Sequence, residues 1–166
     1  MAEYTESTVL ETSDDVLKYW FGSNYFTDGN SGRNSVAYIK SRISLWFMHT
    51  DAVFDAVQAN NKQLLDKLEE IHKTDNDWNT LTGALAKILV FDQFSRTVYK
   101  GTANAFKYDN YCKETVEYVL SRNWFLEYSA VERLFITVAL QHYESLEVQT
   151  LGVGLGKLLL CCILYR

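Results

Sequence analysis

Apolar side chains recur at steps of three or four residues from Phe54 to Ile71, and this spacing is typical of one face of an α-helix. The sequence contains no proline, so helices have to end at glycine, asparagine or a capping residue. No stretch alternates between apolar and polar residues for long enough to indicate a strand. We therefore predict an all-α fold of antiparallel helical hairpins, with no sheet.

Capping residues and apolar spacing locate the individual helices. The pattern predicts helices over 14–21 (capped by Ser13), 35–47, 51–73 (capped by Thr50, and bent or split at Asn60-Asn61), 81–94 (capped by Thr80), 109–122, and 129–143 (opening with a capping box, Ser129 to Glu132). Residues 23–35 contain DGNSG and are predicted to be a loop. The helix over 81–94 is apolar nearly all round, which indicates a central position.

The chain divides into three parts by composition. Residues 1–12 are polar and acidic and are predicted to be disordered. Residues 13–149 are predicted to form a single helical domain. Residues 150–166 are glycine- and leucine-rich and form an atypical tail.

Charge and composition narrow the classes of function. The formal net charge is −5 and no basic run is present, which argues against nucleic acid as a partner. The longest apolar run has eight residues, whereas a membrane span needs about 20, so we expect no membrane partner. The three cysteines do not form a disulfide framework, and the acidic start resembles no secretory or mitochondrial signal. We expect a cytoplasmic protein with free thiols.

Four stretches carry a family resemblance: VLKYWFG (16–22), WFMHTDAVFD (46–55), GALAKILVFDQFSRTVYKGTANAF (83–106) and VERLFITVALQHYESLEVQ (131–149). In this order and at this spacing they resemble domain-of-unknown-function family 924. The resemblance implies a tetratricopeptide-like superhelical bundle of helical hairpins, and it implies no established activity.

The chain departs from the family pattern in three places. Ser95 stands where the family usually has proline, and His142-Tyr143-Glu144 stands where it usually has His-Ser-Glu. After Gln149 the family usually continues as helix, so we expect residues 150–166 to be truncated or altered relative to the family.

Two polar residues end apolar helix stripes. Asp92 lies on an apolar face, where a carboxylate is costly unless it is paired, and Arg96 or Arg133 are candidate partners. His142 ends the stripe of the helix over 129–143, with Glu144 nearby. If the two helices pack together, Asp92, Arg96, His142 and Glu144 surround one cavity as a candidate acid–base cluster. The alternative is a structural ion pair and a core histidine.

Other candidate sites have weaker signals. Arg96, Lys100 and Thr102 could hold an anion at a helix start, or form a solvated turn. Five aromatic residues could line a ligand pocket or simply fill the core: Trp20, Phe21, Trp46, Phe47 and Trp78. GVGLGK (152–157) lacks the spacing and the following Ser or Thr of a phosphate-binding loop. No His or Cys spacing indicates a metal, and we predict no cofactor.

Two functions compete at this point. Helical-hairpin folds present grooves, so a protein- or peptide-binding module is the favoured hypothesis. The alternative is a small-molecule enzyme or binder that uses the inward polar cluster. A cavity with converging polar groups would favour the second hypothesis, and an exposed apolar groove would favour the first.

Overall fold

The computed structural model describes residues 4–48, 50–74 and 77–164. Over these ranges the chain is helical and contains no strand, which confirms the all-α prediction. The helices are α1 (Ser13–Phe21), α2 (Tyr25–Arg33), α3 (Val36–Phe47), α4 (Ala52–Asn60), α5 (Lys62–Ile71), α6 (Leu81–Leu89), a π-helical turn (Val90–Phe94), α7 (Ser95–Val98), α8 (Asp109–Ser121), α9 (Ala130–His142) and α10 (Leu146–Leu164). None of these helices is both long enough and apolar enough to span a bilayer.

Helix α6 lies at the centre of the fold. Every side chain from Ala84 to Asp92 is buried. The helix packs against α1, α8 and α9, which explains why apolar residues surround it on all sides. The short 3-10 turns Asp77–Asn79, Ala103–Phe106 and Trp124–Leu126 connect the longer helices around it.

The predicted span of the first helix is confirmed, whereas its predicted cap is wrong. Thr12, not Ser13, is the N-cap of α1, and it forms a capping box with Asp15. The helix ends at Gly22, whose φ of 107° suits glycine.

The predicted helix over 51–73 is split at Asn61. Asp51, not Thr50, caps α4 by accepting hydrogen bonds from Val53 and Phe54. The buried amide of Asn61 donates to the carbonyl oxygens of Val57 (2.7 Å) and Thr8 (2.8 Å). These bonds compete with the helix ladder, which is why an asparagine ends α4 and starts α5.

The predicted loop over 23–35 is wrong, because these residues contain α2. The helix is kinked at Gly29, whose φ is 61°. The Arg33 side chain holds it by donating to the carbonyl oxygen of Tyr25 (2.5 Å) and to Oδ1 of Asn30 (2.7 Å). These bonds within the helix, together with the bond from the amide of Asn30 to the carbonyl oxygen of Glu127, stabilise a helix that its composition disfavours.

Residues 4–12 are placed against the helices rather than free of them. Leu10 is 2% exposed, and its N–H donates to Oδ1 of Asn61 (2.8 Å). The ring of Tyr4 meets that of Tyr19 edge-on at 5.3 Å. This segment differs from the disorder predicted for residues 1–12, of which 1–3 lie outside the described residues.

Helix α10 begins before Gln149 and continues through the tail to Leu164. Gly152 and Gly156 face α9: a Cβ on Gly152 would lie 3.1 Å from Cβ of Leu140, and one on Gly156 would lie 3.5 Å from Cγ2 of Thr137. The GVGLGK segment is therefore helical, and two of its glycines allow α9 and α10 to approach closely.

Replacing Gly83 by alanine should destabilise the protein by about 1–3 kcal/mol. A Cβ at this position would lie 2.6 Å from the carbonyl oxygen of Asp77 and 2.8 Å from the backbone of Trp78, so backbone has to move. The same change at Gly154, which has open space around it, should be neutral or stabilising because alanine favours helix. Urea unfolding of both variants measures the difference. Equal stabilities would contradict the close packing of α6 on the turn Asp77–Asn79.

Candidate functional site

The centre of the site is a hydrogen bond between α9 and the π-helical turn. Nδ1 of His142 lies 2.8 Å from Oδ1 of Asp92. The side chain of Asp92 is 3% exposed, whereas that of His142 is 38% exposed. The structure thus joins the ends of the two apolar stripes identified in the sequence, with the carboxylate inside and the imidazole at the surface.

Arg96 and Asp109 extend this contact into a four-residue polar cluster. Nη2 of Arg96 lies 3.3 Å from Oδ1 of Asp92, an ionic contact without hydrogen-bond geometry. Nη1 of Arg96 donates to Oδ1 of Asp109 at 3.1 Å. Gln93 donates from Nε2 to the second oxygen of Asp92. We call Asp92, Arg96, Asp109 and His142 the acid–base cluster.

Two predicted neighbours are not part of the cluster. Glu144 is exposed and makes no hydrogen bond or ion pair within the described part of the chain. Arg133 instead donates to the carbonyl oxygens of Tyr128 (2.8 Å) and Leu126 (3.1 Å). Asp109, which was not predicted from the sequence, is the second carboxylate of the cluster instead of Glu144. Its only sequence signal was an acidic residue in the first turn of a helix, which also fits a simple helix-dipole role.

The π-helical turn positions Asp92. In this turn hydrogen bonds join residues five positions apart. The N–H of Ser95, for example, donates to the carbonyl oxygen of Val90. The hydroxyl of Ser95 donates to the carbonyl oxygen of Phe91 at 2.7 Å. A proline at position 95 would have no N–H for the bond to Val90. Single π turns occur frequently at functional sites, so this one marks the segment that carries Asp92.

Negatively charged side chains outnumber positively charged ones in the cluster. Two carboxylates and one guanidinium leave the cluster with one net negative charge while the imidazole is neutral. Burial raises the pKa of Asp109, although the neighbouring Arg96 opposes this. Burial, together with the charges of Asp92 and Asp109, also raises the pKa of the Cys112 thiol, so this cysteine is not an activated nucleophile.

A cavity of about 490 Å³ lies beside the cluster, between α1, α3, α4 and residues 93–100. Arg96 contributes to both the cluster and the cavity wall. Trp20 and Trp46 form an aromatic part of the wall, so two of the five aromatic candidates do line a pocket. Lys100 also lines it, whereas the hydroxyl of Thr102 donates to the carbonyl oxygen of Tyr99 (2.9 Å) in an exposed turn. Two of the three residues of the predicted anion site, Arg96 and Lys100, therefore line this cavity.

Comparison with known proteins identifies the family of this chain. No curated protein and no solved structure matches the chain. The family profile described as "Bacterial protein of unknown function (DUF924)" matches residues 16–160, which includes the acid–base cluster and most of α10. The chain therefore belongs to the DUF924 family of proteins of unknown function.

Proposed function

We propose that the protein is a small-molecule enzyme in which His142 transfers protons and Asp92 orients it. The observation that carries the proposal is the 2.8 Å contact between a buried carboxylate and an exposed imidazole. A carboxylate on Nδ1 fixes the ring tautomer and stabilises the imidazolium that forms when Nε2 accepts a proton. Nε2 of His142 has no hydrogen-bond partner within the described residues, so it is available for this step.

The rest of the cluster supports the same chemistry. When Nε2 of His142 takes a proton from a substrate or a water molecule, the net charge of the cluster becomes zero. The guanidinium of Arg96 offsets the charge of the buried Asp92, which accepts the N–H at Nδ1 of His142.

His72 provides an internal comparison with a histidine in a structural setting. Its side chain is 7% exposed, and its partner Glu114 is 44% exposed. Burial, and then the charge of Lys87, lower the pKa of His72, which opposes proton uptake. The arrangement at His142 is the reverse, with the acid buried and the base exposed, which leaves Nε2 of His142 open to a substrate.

Hydrolysis of p-nitrophenyl acetate tests this reactivity without knowledge of the natural substrate. We expect the wild-type protein to release nitrophenolate about 10²-fold faster than His142→Asn, since a positioned acid–base group contributes at least this much. Asp92→Asn should also slow the reaction, because the ring loses its orienting carboxylate. Glu144→Gln, two residues away but outside the cluster, should hydrolyse the ester at the wild-type rate. Equal rates for wild type and His142→Asn would rule the proposal out.

A second candidate is a partner-binding scaffold with a tetratricopeptide-like arrangement of hairpins. The supporting observation is the outer face of α10, where Leu151 is 41% and Leu158 is 54% exposed. Thermal unfolding with a panel of small metabolites separates the candidates, because a ligand at about 100 times its Kd stabilises by about 2.7 kcal/mol. If no metabolite stabilises the protein and Leu151→Asp abolishes binding to a protein partner, the scaffold is favoured.

A further inference from the structure

We infer that the cavity between α1, α3, α4 and residues 93–100 binds a small organic anion that carries an apolar group. This binding site is additional to the proton-transfer role proposed for His142 and does not depend on it. Its volume of about 490 Å³ lies in the range typical of small-molecule sites, about 300–1,000 Å³.

The apolar part of the ligand is inferred from two fixed indole rings. Trp20 is 1% exposed and Trp46 is 5% exposed, and both line the cavity. Nε1 of Trp46 donates to the carbonyl oxygen of Trp20 at 3.1 Å, which fixes the Trp46 ring. Other side chains cover both rings almost completely, so the rings give the cavity a rigid apolar wall and not an open face for stacking.

The anionic part is inferred from the charges on the opposite wall. Gln93, Arg96, Thr97 and Lys100 line the cavity from the π-helical turn, α7 and the turn that follows α7. The ammonium of Lys100 makes no ion pair or hydrogen bond within the described chain, and Nη2 of Arg96 is not used as a hydrogen-bond donor there. The one acidic residue of the wall, Asp55, already has a partner of its own. A carboxylate or phosphate would give Lys100 a charge-assisted hydrogen bond, and Arg96, which already pairs with Asp92 and Asp109, adds a second positive charge to this wall.

A buried polar atom in the wall points to an occupant that accepts a hydrogen bond. Nε1 of Trp20 is buried and has no hydrogen-bond partner. Such a donor is uncommon in proteins without an acceptor from a ligand or a water molecule. Nε1 is covered by its neighbours, so an oxygen of the anion would supply that acceptor when a side chain of the wall moves aside.

Titration with 2-naphthoate tests the inference, with neutral 2-naphthamide as the matched probe and 2-naphthyl phosphate to distinguish carboxylate from phosphate. Calorimetry should show that at least one of the anions binds tenfold or more tightly than the amide. Lys100→Met should weaken anion binding about tenfold, which corresponds to about 1.4 kcal/mol. Lys40→Met, which removes the same charge from an exposed residue outside the cavity, should leave the affinity unchanged.

The indole N–H resonances locate the bound probe. In ¹⁵N-labelled protein the Nε1–H signal of Trp20, identified with Trp20→Phe, should shift on anion binding, whereas that of Trp124 should not. His142→Asn should bind the anion with wild-type affinity, so failure of the acid–base proposal and failure of this one are distinguishable. Equal affinity for acid and amide, no effect of Lys100→Met, or an unmoved Trp20 signal would each overturn the inference and leave water as the occupant of the cavity.

Discussion

Replacing Glu132 by alanine should lower the free energy of unfolding by about 3–5 kcal/mol. Glu132 is 2% exposed in the first turn of α9, and Oε1 accepts a hydrogen bond from the hydroxyl of Tyr25 at 2.6 Å. The same oxygen lies 3.3 Å from Nε of Arg33. Removal of the carboxylate leaves the buried guanidinium uncompensated, and an unpaired buried charge is far more costly than the pair it came from.

The second consequence of this change is the loss of a helix cap. Oε2 of Glu132 accepts from the backbone N–H of Ser129 at 2.5 Å, completing the capping box of α9. Glu132→Gln keeps an acceptor for this N–H and should therefore lose less stability than the alanine variant. Glu70→Ala, an exposed glutamate on α5, should change stability by no more than about 0.5 kcal/mol. A Glu132→Ala protein within 1 kcal/mol of wild type in urea unfolding would show that Arg33 and Tyr25 find other partners.

Replacing Phe135 by alanine should also cost about 3–5 kcal/mol, through the cavity it leaves in the core. Phe135 is 1% exposed, and its ring meets those of Trp20 and Trp46 edge-on at centroid distances of 5.3 and 5.1 Å. The variant loses the buried apolar area of the ring together with these contacts. The neighbouring rings are rigid and cannot collapse into the space, so the cavity stays open.

Phe47→Ala is the matched control for Phe135→Ala. Phe47 stacks on Phe135 at 5.9 Å, but it is 46% exposed and leaves no enclosed void when truncated. Its loss should be less than half that of Phe135→Ala in the same urea titration. If the two variants are equally stable, the aromatic interior around Trp20 is not as closely packed as the structure indicates.

Helix positions followed from the sequence wherever apolar spacing and a cap agreed. The capping box at Ser129 and the dense apolar run of α6 are local signals, and both gave correct helices. Helix α2 was missed because its stability comes from Arg33 and from the amide of Asn30, which donates to the carbonyl oxygen of Glu127 at 2.9 Å. Contacts between residues so far apart in the chain leave no periodic signal.

Only part of the acid–base cluster could be predicted from the sequence. Asp92 and His142 interrupt apolar stripes, so each could be recognised as a buried or half-buried polar group that needs a partner. Asp109 lies in the first turn of a helix, where acidic residues are common and usually exposed, so it gave no such signal. The cavity was not predictable, because its wall combines side chains of α1, α3, α4 and residues 93–100, and its shape depends on how these segments pack.

The π-helical turn ties the chemistry of the site to the length of the chain. Deleting one residue there, such as Gln93, would allow regular α-helical bonding, because a π turn holds one residue more than an α turn, and the segment that follows would keep nearly its present orientation relative to α6. Arg96 would then follow Asp92 by three positions instead of four, and the second oxygen of Asp92 would lose the amide of Gln93 that donates to it. Among related chains, a gap of one position in this turn would therefore mark proteins that lack the wide turn around Asp92, whatever amino acids they retain.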